Sequence, residues 1–211
     1  MAYITDEYSF DEFHVDGDRI YRLIQLPSQE NDRYYAGTPF PVRPMLLENV
    51  PAIEALAQFT SSEDVIVTVD GQNFRESVNF ADPEFFQLFS FELLKGSPRT
   101  ALSTPNGIVL DVSGAERLFG SIDVVGKELV VTTSGEKYPY VVSAVVADAP
   151  KNSSLQYRLV LPVSEISKFL PFKLGWNLTC AETFVRLRSD ADINNVTNDI
   201  QAAANIVPKK A

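Results

Sequence analysis

The segment "FADPEFFQLFSFELLKG" (residues 80–96) carries five phenylalanines in seventeen positions. Asp82 stands before Pro83, which predicts an Asp N-cap followed by proline at the first helical position, where the missing N–H costs nothing. The next aromatics fall at i, i+1 and i+4, which is one apolar face of a short helix: Phe85, Phe86 and Phe89. The chain after this helix, from Phe91 to Gly96, is predicted to be extended. We therefore predict a helix that packs into a core, in preference to an aromatic ligand cage.

Two hairpins are predicted on either side of this segment. Asp70-Gly71 separates "DVIVTVD" from "NFRESVNF", and Ser134-Gly135 divides "KELVVTTSGEKYPYVVSAVV" (127–146). Glycine tolerates the positive φ that a tight turn requires. Alternating valines in the first of these runs indicate a strand with one buried face: Val65, Val67 and Val69.

Further strands and short helices complete the pattern. Strands are predicted at "RIYRLIQL" (19–26) and "AETFVRLR" (181–188), and a helix from Arg43 to Asn49. In "GIVLDVSGAERLFG" (107–120) a buried strand leads to a capping box of Ser113 and Glu116, and the helix ends at Gly120. Ser164 is predicted to cap "EISKFL", and the last helix places one apolar stripe inward: Ile193, Val196, Ile200 and Ala203. Hairpins and short helices in place of regular βαβ crossovers predict an α+β class with mainly antiparallel pairing.

The composition excludes several classes of function. At 211 residues and 45% hydrophobic content the chain can bury a core. Its net charge of -10 argues against nucleic acid as a partner, because phosphate binding needs clustered Lys and Arg. The chain has neither a run of about 18 apolar residues nor a signal peptide. It is either a soluble protein or a piece from between membrane segments, and the composition does not distinguish between these two possibilities.

The residues that could carry chemistry are few. His14 is the single histidine, and it lies near Asp11, Glu12, Asp16 and Asp18. A metal site needs several converging ligands, and the spacing of these acids is not that of an EF-hand loop, so we predict a hydrogen-bonded turn histidine.

Other signatures of catalysis are missing from the sequence. Cys180 is the single cysteine and is interpreted as a buried small hydrophobe rather than a nucleophile. The chain has no P-loop and no G-x-G-x-x-G. A hydrolase with two carboxylates brought together in space remains an alternative. We predict a domain that binds or transmits, with no catalytic, metal-binding or cofactor-binding residue and no cofactor.

The sequence resembles a known family, and the order and spacing of its segments carry that resemblance more strongly than any single motif. This family is the extracytoplasmic core domain of MacB/FtsX-type ABC transporter permeases, in its Bacteroidetes-like form. The segments that carry the resemblance are "YSFDEFHVDGDRIYRLI" (8–24), "TPFPVRPMLLENVPAIEALAQF" (38–59), the stretch 80–120 with "DPEFF" and "LFG", "VGKELVV" (125–131) and "YVVSAVVADAPKNSSLQY" (140–157). The chain departs from the family pattern at turns, with Val124 where proline is usual, Ala144 where glycine is common and Ser154 near a common histidine.

The resemblance implies an architecture and a setting. It implies a porter-like α/β lobe from residues 1–90 plus 163–211, and a smaller, mainly antiparallel β lobe inserted at 91–162, with segment 80–96 fastening the two. It also implies a place on the periplasmic side of the inner membrane, within an integral membrane parent that works with an ABC ATPase subunit or domain. The implied role is non-catalytic: docking a periplasmic adaptor or a lipoprotein or peptide substrate, and transmitting ATP-driven movement. The isolated domain is expected to be a monomer.

A second function remains open. A module that senses or binds a small ligand would use exposed aromatic side chains in a cleft between the lobes. The sequence offers two such stretches, "RYYAGTPF" (33–40) and "FKLGWNLT" (172–179). A closed apolar pocket with converging polar groups would favour this alternative.

Overall fold

The computed structural model describes residues 11, 13–25, 35–60, 63–170 and 174–204. The strands are β1 (Ile20–Arg22), β2 (Gly37–Thr38), β3 (Ile53–Thr60), β4 (Glu63–Val69), β5 (Gln72–Ala81), β6 (Leu93–Lys95), β7 (Gly107–Asp111), β8 (Glu128–Thr133), β9 (Glu136–Val146), β10 (Leu159–Pro162) and β11 (Ala181–Leu187). The α-helices are α1 (Val42–Asn49), α2 (Phe85–Leu88), α3 (Val112–Phe119) and α4 (Ile193–Ala204). Two 3-10 turns lie at Gly17–Arg19 and Val163–Lys168. None of the described helices is long and apolar enough to cross a membrane.

All of these strands belong to one sheet, and part of it closes on itself. The order is β1-β11-β3-β5-β10-β7-β9-β8-β4, and β4 also pairs with β5, so six strands from β5 round to β4 form a closed barrel. The pairs β5–β10 and β7–β9 are parallel and the other pairs are antiparallel. The α+β class predicted from the hairpins is confirmed.

The barrel is filled by apolar side chains at alternate strand positions, as the pleat requires. These side chains are Val65, Val67, Val69, Val78, Phe80, Ile108, Leu110, Leu129, Val131, Tyr140, Val142, Leu159 and Leu161. Leu118 of α3 and Phe169 complete this core. The interior is therefore packed, and it leaves functional sites to the outside of the barrel.

Strand β5 continues from the barrel into a second part of the sheet. It pairs with β4 as far as Val78, and at its end Ala81 pairs with Phe59 of β3. Strands β3, β11 and β1 extend the sheet from there. Helices α1 and α4 cover one face of this extension through a separate core of Val42, Leu46, Leu56, Val185, Leu187 and Val196.

The predicted turns are confirmed, because their chemistry is local. Asp70 and Gly71 adopt φ of 48° and 80°, and Ser134 and Gly135 adopt 49° and 85°. Gly120 ends α3 with φ of 69°. These left-handed values are those that two-residue hairpins and helix C-termini need.

Three predicted helix caps are wrong. Asp111 caps α3 by accepting from Gly114 N–H at 2.6 Å, because the helix begins directly after the buried strand, and Ser113 binds Asp148 instead. Asp82 accepts from Gln58 N–H of β3 at 2.7 Å and makes no side-chain bond to α2. Ser164 lies inside a 3-10 turn that begins at Val163 without a side-chain cap.

Two predicted elements are shorter or less buried than expected. Of the predicted strand 19–26, only Ile20–Arg22 forms a strand, while Gln25 makes an isolated bridge to Tyr35 and residue 26 lies outside the described residues. In the last helix Val196 and Ala203 are buried as predicted, but Ile193 is 44% exposed. The division into lobes at residues 91 and 162 stays a prediction. A unit drawn around the closed barrel would also take in the β4–β5 hairpin.

Candidate functional site

The aromatic helix α2 packs between the barrel and the extension of the sheet. Phe85 is fully buried, and its ring stacks on Phe59 of β3 at a centroid distance of 5.0 Å. On the other side Phe91 meets Tyr157 at 4.9 Å, beside the outer face of the barrel. This aromatic junction consists of Phe59, Phe85, Phe86, Phe89, Phe91, Tyr157 and Phe184. Because Phe85, Phe86 and Phe89 are at most 4% exposed, they serve as core, as the sequence predicted, and Phe89 alone of the three also lines a cavity.

His14 lies in the turn that covers one end of the aromatic junction. It is 8% exposed, and its Nδ1 accepts from Ser90 N–H at 3.1 Å. The rings of Phe13, Phe89 and Phe91 surround it at centroid distances of 4.0, 5.0 and 5.0 Å. Burial lowers the pKa of His14, and the nearby Asp11 carboxylate opposes that effect. Because Nδ1 accepts a hydrogen bond, it carries no proton, and the buried Nε2 has no hydrogen-bond partner among the described residues.

The acids around His14 have other partners. Asp11 accepts from Ser154 N–H at 2.9 Å, and Asp16 pairs with Arg19 at 2.8 Å. Glu12 lies outside the described residues. Within the described ranges, no three His, Cys, Asp or Glu side chains are grouped so that they could hold a metal ion.

A four-residue ion-pair network joins this turn to the sheet. Arg19 bridges Asp16 and Glu54 at 2.8 and 2.9 Å, and Arg186 of β11 approaches Glu54 at 3.2 Å and Asp16 at 4.0 Å. The hydrogen bonds from Arg19 lower the pKa of both carboxyls. Sequence analysis missed this network, because its members lie up to 170 positions apart and no local pattern links them.

Two concave sites flank the edge strand β1, one on each face of the sheet. The first, an edge cavity of about 260 Å³, has an apolar lining of Ile20, Phe89, Leu155 and Phe184, and its polar lining residues are Asp11, His14, Arg22 and Ser154. The second, an edge groove of about 340 Å³, runs between β1 and α4. Its walls are Tyr21, Leu23 and Ile24 from the strand side and Ile193, Val196 and Ile200 from the helix. Three of these side chains are well exposed: Tyr21 at 40%, Ile24 at 50% and Ile193 at 44%.

Two buried carboxyls have raised pKa values with structural causes. Burial raises the pKa of Asp82 to about 6, against the opposing effect of Arg43 Nε at 3.5 Å. Burial likewise raises the pKa of Asp111 to about 6. Asp111 and Asp148 both bind amides in the first turn of α3, so this pair of acids caps a helix. Neither Asp82 nor Asp111 lines the edge cavity or the edge groove.

The remaining sequence candidates stay apart from these sites. Cys180 is half-buried, not fully buried as predicted, because the loop before β11 leaves one side of it open. Its partial burial raises the pKa of the thiol, which keeps it weakly nucleophilic. Tyr35 is 47% exposed and Trp176 is 36% exposed, and neither lines the edge cavity or the edge groove. Residues 33, 34, 172 and 173 of the two aromatic stretches lie outside the described residues, and the ligand-sensing alternative stays a hypothesis.

Comparison with known proteins gives one family and a consistent set of folds. Residues 1–203 match the family model described as the MacB-like periplasmic core domain. A domain of a permease protein from Porphyromonas gingivalis superposes with a TM-score of 0.75 at 22% identity, covering 91% of this chain and 85% of that one. The search of curated protein sequences gives no match.

Two further structures with the same fold are transporter domains. The periplasmic region of MacB from Actinobacillus actinomycetemcomitans has a TM-score of 0.65 at 13% identity, covering 97% of this chain and 88% of that one. The extracellular domain of the ABC-type transporter YknZ from Gram-positive bacteria has a TM-score of 0.60 at 14% identity, covering 88% and 92%. Because all three structures are less than 25% identical to this chain, the superpositions establish its fold alone.

Proposed function

The chain belongs to the MacB-like periplasmic core domain family, and we propose that it acts as a rigid link between a membrane-embedded permease and a periplasmic partner. Membership makes it a non-catalytic periplasmic domain of an ABC transporter permease. In the proposed mode of action, ATP-driven movement of the membrane part displaces this domain as one body. The displacement then acts on whatever the domain holds.

One observation carries the proposal, namely the continuity between the barrel and the sheet extension. Strand β5 pairs with β4 and β10 in the barrel and with β3 beyond it. The aromatic junction packs against both parts. Close-packed protein interiors have low compressibility and transmit strain. A force applied at β1 or α4 therefore reaches the barrel with little loss to internal bending.

The partners follow from the family setting. An ABC ATPase subunit or domain would act on this chain through the membrane part of an inner-membrane parent. A periplasmic adaptor, or a lipoprotein or peptide substrate, would bind the outer surface. The chemistry of nucleotide hydrolysis would lie with the ATPase, which agrees with the absence of a P-loop from this sequence.

Distance measurements between spin labels test the rigid link in the intact permease. One label pair, Glu136→Cys on the barrel and Asn198→Cys on α4, spans the domain in a Cys180→Ser background; both sites are exposed. A second pair joins Asn198→Cys to the ATPase. We expect ATP to shift the second distance and to leave the first unchanged. A nucleotide-dependent change within the domain would contradict rigidity, and two constant distances would contradict transmission.

A further inference from the structure

Strand β1 presents backbone groups at the edge of the sheet. Among the described residues β1 pairs with β11 alone. Leu23 N–H donates to its partner carbonyl on β11 at 2.9 Å, so the alternation of an antiparallel ladder turns the N–H and C=O of Arg22 away from β11. Gln25 exchanges bonds with Tyr35 at 2.7 and 3.3 Å, which turns Ile24 outward as well. Such groups are a template for one more strand.

Concave apolar surface lies on both sides of this edge. Of the residues along this edge, Ile20 lines the edge cavity, Tyr21, Leu23 and Ile24 line the edge groove, and Arg22 lines both. Ile20 and Tyr21 thus lie on opposite faces, as the alternation of strand side chains dictates. A strand added next to β1 would alternate in the same way. Its successive side chains would enter the cavity and the groove in turn.

The edge groove has the form of a trough between a strand and a helix. Helix α4 lines it at i, i+3, i+4 and i+7, with Ile193, Val196, Thr197 and Ile200. An edge strand beside such a helical face is the arrangement in which main-chain bonds supply affinity and pockets for alternate side chains supply specificity. We propose that an extended peptide segment, apolar at alternate positions, adds to β1 as an extra strand.

Charge complementarity assigns basic residues to this peptide. The chain carries a net charge of -10. Two exposed acids lie on the helix side, outside the groove lining: Asp192, whose carboxylate accepts from Asn194 and Asn195 N–H at the start of α4, and Asp199. Arg22, the cation at the edge, is already paired with Glu182 at 3.1 Å. Lysine or arginine at the ends of the peptide would therefore speed its encounter and disfavour acidic competitors.

This inference rests on the docking part of the proposed function, and it is tested without ATP or membrane. The probe is the synthetic peptide Lys-Val-Ser-Leu-Ser-Val-Lys, titrated calorimetrically into the 211-residue chain. Two control peptides carry N-methyl groups on one or the other alternate set of amides. Only one set can face β1, so we expect one control peptide to bind like the parent and the other to lose binding. Equal binding of both controls, or no binding of the parent peptide, would overturn the proposal.

Paired variants locate the site on the protein. Arg22→Pro removes an outward N–H that β11 does not use, whereas Arg22→Ala keeps it, so we expect about tenfold weaker binding for the first alone. Ile193→Lys places a charge in the groove, with a similar expected loss. Leu47→Lys is its control, because Leu47 is also exposed, at 48%, but lies outside the groove. Thermal unfolding verifies that each variant is folded. If Arg22→Pro does not fold, the comparison of Ile193→Lys with Leu47→Lys still tests the proposal.

Two other occupants would show themselves in the same samples. If sedimentation reveals self-association that Ile193→Lys abolishes, a second copy of the chain occupies the edge and the peptide proposal fails. If zwitterionic lipid vesicles bind the chain and Ile193→Lys prevents it, the groove is a membrane contact and the proposal fails equally. In either case the spin-label distances still test the rigid link independently, because that experiment uses no peptide.

Discussion

At the scale of single residues, Asp82 shows how a buried charge is accommodated without a catalytic role. Its carboxylate accepts from Gln58 N–H at 2.7 Å and lies 3.5 Å from Arg43 Nε. The donor is a buried backbone group of β3, which would otherwise lack a partner at this point. Burial nevertheless dominates and raises the pKa to about 6. The carboxylate thus stabilises the strand while its own charge is disfavoured in the folded state.

This conflict predicts the effect of pH on stability. The folded-state pKa lies above the unfolded one, so the contribution of Asp82 is fully present below the unfolded pKa and is lost as pH rises through about 6. Between pH 5 and pH 7 the loss is about 1 kcal/mol. Asp82→Asn does not titrate, so the change in its free energy of unfolding between these pH values should lack that amount. Urea unfolding at both pH values measures it. Identical pH dependence in the two proteins would show that Asp82 does not titrate in this range.

At the scale of elements, sequence reasoning succeeded where the determinants are local. Asp70-Gly71 and Ser134-Gly135 form hairpins because two residues suffice to select the turn. Two predicted caps failed for non-local reasons: Asp148, 35 positions away, binds Ser113, and Asp82 binds the amide of Gln58, 24 positions away. The residue that does cap the helix, Asp111, is local, three positions before Gly114, and the sequence alone could have indicated it. Non-local pairing also hid the closed barrel, since nothing local shows that β4 pairs with β8 as well as β5. The edge groove also escaped, because it joins β1 to a helix about 170 positions away.

The aromatic junction gives the prediction at this scale. Phe85 is fully buried, and its ring contacts those of Phe59, Phe86, Phe89 and Phe91. Phe85→Ala removes these contacts and leaves a cavity, which should lower the free energy of unfolding by about 3–5 kcal/mol.

Leu94→Ala is the matched control for this change. Leu94 lies on β6, close in sequence to the junction, but it is 39% exposed. We expect its substitution to cost less than about 0.5 kcal/mol. Denaturant unfolding of both variants provides the comparison. Similar losses in the two would mean that the aromatic rings do not hold this part of the molecule together.

At the scale of the whole molecule, the shared strand β5 and the aromatic junction predict that the barrel and the sheet extension unfold together. Packing is continuous across them, so neither half can open without exposing apolar surface of the other. Native-state hydrogen exchange should therefore give the slowest amides of β7 and of β11 the same free energy of opening. Phe85→Ala should lower both values equally. If β11 exchanged through an opening of lower free energy that left β7 protected, the barrel and the sheet extension would be independent units. The two parts of the domain could then move relative to each other, and the domain could not act as a rigid link.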